Sequence, residues 1–129
     1  MAVSLVALSS AHLSCASRKR AQVKHATDYQ SVLSSYSEPL TPGMTRKRVE
    51  DYLRSKNTEF RQQCCFGSGD NTPDDLTKVG SEDGPWYCSR TNVYVAFKFT
   101  AVERHALQNA YDSDKLVGVA ILRWPEDCL

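Results

Sequence analysis

Surplus charge of either sign is the first thing this sequence lacks. Sixteen Lys and Arg stand against fifteen Asp and Glu, a formal net charge of +1. That balance builds no long-range field, which excludes non-specific capture of nucleic acid or of an anionic lipid surface as the main task. Long hydrophobic runs are missing as well. The most apolar stretch, Ala2 to Cys15, falls short of the roughly 20 apolar residues that cross a bilayer as a helix. Histidine is scarce, with three in the chain. His12 and His25 lie near the N-terminus, so only His105 is left beside the expected sheet as a general base. No Cys-x-x-Cys occurs, and no Ser/His/Asp or Cys/His motif has a recognisable local context. There are no internal repeats. These absences argue against an enzyme with a side-chain active site.

What is present is cysteine, five in all, dividing as one plus four. Cys15 ends the apolar N-terminal stretch. Cys64, Cys65, Cys88 and Cys128 lie in the remainder. An even set in a small domain behind a hydrophobic leader reads as two disulfides, and disulfides persist outside the reducing cytoplasm. Each would add about 2–4 kcal/mol to a domain whose core is modest. Residues 1–17 have the length and small-residue ending of a signal or anchor segment. His12-Leu13-Ser14-Cys15 resembles a lipobox, which makes Cys15 the candidate lipidation site. Arg18, Lys19, Arg20 and Lys24 follow at once and mark a boundary. The expected location is the cell envelope: periplasmic, membrane-anchored or secreted.

The chain divides into this leader, a helix and linker over 18–40, and an α+β domain over 41–129. A helix is expected over roughly 20–36, and Ser34 to Gly43 breaks it with two prolines and a glycine. The sharpest local signal follows. Thr45 is placed to cap a helix beginning at Arg46, with Met44 and Val49 in the positions of a hydrophobic staple. Val49, Tyr52 and Leu53 make an apolar stripe. Three cations in the first turn oppose the helix dipole, so they are expected on a solvated face. Glu59 to Phe66 alternates as a strand, and so does Asn92 to Thr100, where Val93, Val95, Phe97 and Phe99 share a face. Residues 67–85 read as a loop anchored by Leu76 and Val79. Residues 102–114 read as a polar connection with a helical turn near Val102 to Leu107. Lys115 to Trp124 is apolar on both faces, which suggests a central or well-covered strand.

Strand alternation would send Cys64 and Cys65 to opposite faces, so each is expected to pair elsewhere. Either Cys64 joins Cys88 and Cys65 joins Cys128, or the reverse. Zinc is a rival use of Cys64, Cys65 and Cys88 with His105, weakened by the missing Cys-x-x-Cys knuckle. Asp70, Asp74 and Asp75 only superficially match a calcium loop, because the glycine and the bidentate Glu are absent. No metal and no cofactor is expected. Trp86, Tyr87, Tyr94 and Trp124 are candidates for an exposed recognition patch. The binding surface is assigned to the loop and the cationic helix start: Arg46, Lys47, Asp70, Asp74 and Asp75.

The run Leu40 to Leu53 resembles the opening motif of the SmpA/OmlA (BamE-like) small envelope lipoproteins. Gly43, Met44 and Thr45 precede a helix with Val49 and Leu53 four apart. Trp86-Tyr87 and the Val93–Phe99 strand resemble that family's later aromatic start and apolar strand. The family's Leu-Gly-x-Pro after the helix is replaced here by Leu53-Arg-Ser-Lys. The resemblance implies two helices packed on one face of a three-stranded antiparallel sheet, in agreement with the order of elements. It also implies a non-enzymatic envelope module that binds or helps assemble another protein. Alternatives are a secreted inhibitor-like module, with 67–85 as its protruding loop, and a cytosolic zinc or thiol protein.

Overall fold

The computed structural model describes residues 28–65, 71–102 and 109–129. The leader, Cys15, Asp70 and His105 lie outside the described residues, as does most of the turn expected near Val102 to Leu107. The fold is α+β. Helix α1 covers residues 28–37 and α2 covers Arg46–Ser55. The strands are β1 (Arg61–Gln63), β2 (Asp74–Asp83), β3 (Cys88–Thr100) and β4 (Lys115–Cys128). They form one antiparallel sheet in the order β1-β2-β3-β4.

Helix α2 forms for the reasons its sequence gives. The Thr45 hydroxyl accepts the Arg48 N–H at 3.3 Å, satisfying a donor that the first turn leaves open. Gly43 turns the chain into it with φ at 92°, a conformation side chains disfavour. Val49 and Leu53 are fully buried. They meet Leu40, Val95, Phe97, Phe99 and Leu116 in the main core, with Val32 and Tyr36 of α1 and Met44 packed against it. Tyr36 stands edge-on to Phe97, ring centres 5.5 Å apart. The other side chains of β3 turn away, so Tyr94 and Ala96 join Leu76, Leu122 and Trp124 in a second cluster. This is the period-two alternation of a strand covered on both sides.

The sheet has four strands where three were expected. Strand β2 occupies much of the span read as a loop. Its composition is poor in β-formers, but it pairs with β3 from Asp75↔Phe97 to Asp83↔Arg90. A neighbour of strong strand character overrides weak local preference. The two residues singled out there do anchor it: Leu76 is buried in the second cluster and Val79 packs on the first. A register shift falls between Lys78 and Gly80. The shift leaves Val79 as the extra residue, and a Cβ at Gly80 just after it would overlap the Tyr29 ring of α1, so that position holds a glycine for close approach. Strand β4 runs past Pro125 to Cys128, and it is an edge strand rather than a central one. Proline is tolerated there because an edge strand has backbone groups without a ladder partner.

The disulfide pairing also corrects the expectation. Cys88 is bonded to Cys128, and Cys64 to its neighbour Cys65. Two facts of topology explain this. Strand β1 ends at Gln63, so the alternation that would separate Cys64 from Cys65 stops before reaching them. Gln63 lies opposite Asp74 at one end of β2, whereas Cys88 follows the other end, roughly 30 Å away at ~3.3 Å per residue. Cys88 and Cys128 are directly opposed in the β3–β4 register.

Candidate functional site

The cationic start of α2 is not a surface. Arg46, expected on a solvated face, is 1% exposed, and Asp74 and Asp75 are fully buried in β2. Arg46 Nη1 donates to Asp75 Oδ1 at 2.7 Å, Nε donates to Asp114 Oδ2 at 3.1 Å, and Nη2 donates to the Pro73 carbonyl. The guanidinium lies 3.9 Å from the centre of the Phe99 ring. Asp114, just before β4, also accepts the Tyr111 N–H at 2.9 Å, and its carbonyl accepts the Arg46 N–H at 2.8 Å. One side chain thus ties α2 to β2 and to the entrance of β4. Burial pushes the Asp75 carboxyl up to about 7, outweighing the lowering by Arg46, with Glu50 and Asp74 adding to the rise. The group is closed to solvent, so its chemistry is internal: it holds elements together and offers no atom to a substrate.

Of the remaining surface candidates, Lys47 is exposed and donates to Asp51 at 2.7 Å. That bond holds the Lys47 ammonium above its ordinary range and the Asp51 carboxyl below its own. Of the residues assigned to the binding surface, Arg46, Asp74 and Asp75 are therefore buried and only Lys47 is exposed among the described residues, with Asp70 outside them. Cys64 and Cys65 are held apart from Cys88 by the length of the sheet, so they do not form one ligand set. Among the described residues no group of three His, Cys, Asp or Glu is arranged to hold a metal ion. No helix among them is long and apolar enough to cross a membrane.

The aromatic candidates divide. Tyr94 is buried, with its hydroxyl accepting from Arg61 at 3.0 Å and donating to Glu126 at 3.1 Å. Trp124 packs beside it in the second cluster. Trp86 and Tyr87 instead stand at the tip joining β2 to β3, Trp86 at 91% exposure and Tyr87 at 45%. Their rings meet edge-on with centres 5.6 Å apart. The tip is tied on several sides. The Cys88 N–H donates to the Pro85 carbonyl at 2.9 Å, closing the turn, and the Leu129 N–H donates to the Tyr87 carbonyl at 2.8 Å. The Cys88–Cys128 bond crosses directly beneath.

Charged side chains line the strands that lead to this tip. Arg123 pairs with Glu82 at 3.2 Å, Arg90 approaches Glu126 and Asp127 at 4.0 Å each, and Ser89 donates to Asp127 at 3.1 Å. The expected protruding loop ended at residue 85, one short of its anchor. The signal available was Gly84-Pro85 before two aromatics and a cysteine: a turn, a side-chain pair and a staple in succession. No protein-family model, curated protein or solved structure matches the chain.

Proposed function

We propose that this protein is a non-enzymatic protein-binding module of the cell envelope that engages its partner with the Trp86–Tyr87 tip. The observation that carries the reading is Trp86, 91% exposed on a turn tied by a disulfide and backbone hydrogen bonds. An indole left in water is unfavourable. Burying its ~200 Å² in a partner's pocket is worth about 5 kcal/mol before the costs of association. Tryptophan is among the residues that dominate interface energies, and a tip already ordered loses little entropy on binding. The paired cysteines support an oxidising compartment, and the leader with Cys15 supports export or lipid attachment. The two helices ahead of three long strands support the layered fold and the envelope role that the BamE-like resemblance implies. The same single protruding anchor would also serve a secreted inhibitor-like module.

Capture from envelope extracts by immobilised, disulfide-intact protein tests the tip. Trp86→Ala should lose the partner and Lys47→Ala, at the opposite end of the sheet, should keep it. Equal capture by both would contradict the reading. Fractionation of cells then separates an envelope-bound module from a secreted one.

A further inference from the structure

The two edges of the sheet differ in a way that points to a second surface. Strand β1 is three residues of polar sequence, Arg61-Gln62-Gln63, short and charged as guarded edges are. Strand β4 is fourteen residues long. Only its first residues are covered on the outer side. The Gly43 N–H donates to the Leu116 carbonyl and the Leu116 N–H donates to the Met44 carbonyl, both at 2.8 Å, beside a bridge between Thr45 and Lys115. From Val117 to Arg123 the described residues supply no backbone hydrogen bond to the outer side of β4. That stretch opens Val117-Gly-Val-Ala-Ile-Leu122, six residues without a charge or a proline. Val117 is 55% exposed, and the five that follow are partly exposed. A register shift leaves Val117 as a bulge at the start of this stretch, and from Gly118 to Leu122 no charge, proline or further register shift interrupts the edge among the described residues.

We infer that this edge is the contact between two copies of the chain, β4 against β4 antiparallel, joining two sheets into one of eight strands. Charge selects this occupant and orientation. One end of β4 carries Lys115, and the other carries Glu126 and Asp127 against the single cation Arg123, leaving it acidic. Antiparallel pairing sets each copy's cationic end beside the acidic end of the other, whereas parallel pairing would oppose like charges. The side chains agree with a two-fold axis perpendicular to the sheet. Val119 and Ile121 pack toward the main core and Leu122 toward the second cluster. The axis places equivalent residues of both copies on the same face, so each apolar layer continues across the junction. Pro125 ends the pairing on one side and the Gly43–Thr45 segment ends it on the other.

Sedimentation velocity on the disulfide-intact full chain, over a concentration series, reads the assembly directly. The expected result is a shift from 14.4 kDa to twice that mass. Amide exchange should slow at Val117 to Arg123 over the same range. Val117→Lys is tolerated by the fold because the side chain is exposed, and it should weaken the dimer at least about tenfold by opposing like charges at the seam. A monomer at every concentration overturns the inference, including the case in which another protein's strand takes the edge. So does a dimer whose affinity Val117→Lys leaves unchanged, or one whose β4 amides exchange as in the monomer. Loss of the Trp86 partner leaves these readouts untouched, so the two surfaces stand or fall separately.

Discussion

Arg46 shows how a residue that looks solvated can hold a fold together. Its partners Asp75 and Asp114 stand 29 and 68 positions away in sequence. No local pattern reveals them, and three cations in a first turn ordinarily face water. Removing the cation leaves two carboxylates buried without it. Arg46→Met should therefore destabilise the domain by about 3–5 kcal/mol in urea titrations near neutral pH, while Lys47→Ala leaves the midpoint unchanged. Asp75 makes the same cluster sensitive to pH. Its carboxyl titrates at 3.8 when unperturbed and at about 7 in the fold. Between those values the folded state holds a proton that the unfolded chain has released. Its contribution is therefore fully present below about 4, declines as pH rises through the window, and levels off above about 7. Urea midpoints measured from pH 4 to 8 should fall across this range in the wild type. The decline should flatten in Asp75→Asn. An equal slope in both would place the sensitivity elsewhere.

Among the elements, the two disulfides should differ in weight. Cys88 and Cys128 are 40 positions apart, and closing a loop of that size restricts the unfolded chain. Replacing both by Ser should cost about 4 kcal/mol. The same change at Cys64 and Cys65 removes a loop of adjacent residues and should move the midpoint far less. Non-reduced peptide mapping combined with urea melts of the two double variants checks both statements. Where an element was legible in the sequence, the cause was local. Helix α2 was legible because its cap, staple and apolar stripe sit within about ten consecutive residues, Met44 to Leu53. Strand β3 was legible because Val93, Val95, Phe97 and Phe99 alternate without interruption. Strand β2 was not, because Asp74, Asp75, Gly80, Glu82 and Asp83 disfavour a strand and only the pairing with β1 and β3 makes one. Strand β4 was legible as a strand and not as an edge, since apolar residues on both faces suit a central strand as well as an unguarded one. The tip was half legible: its aromatics stood out, but whether they turn inward depends on the register that buries Tyr94 and leaves Trp86 in water.

For the whole molecule, the arrangement separates support from presentation. The buried Arg46 cluster closes one end of the sheet, where Asp75 lies opposite Phe97 and Lys115 opposite Thr100. The Cys88–Cys128 bond closes the other end, beneath Trp86 and Tyr87. A rigid scaffold with its exposed aromatic pair at one extremity suits capture of a partner, and the β4 edge would double the tips in one assembly. The tip's role is tested most directly by placing a photoreactive amino acid at position 86, with position 47 as the control, and irradiating the disulfide-intact protein in envelope extract. A discrete adduct should form from position 86 alone, competed away by unlabelled wild type and not by Trp86→Ala. Adducts of equal yield from both positions, or competition by Trp86→Ala as effective as by wild type, would contradict it.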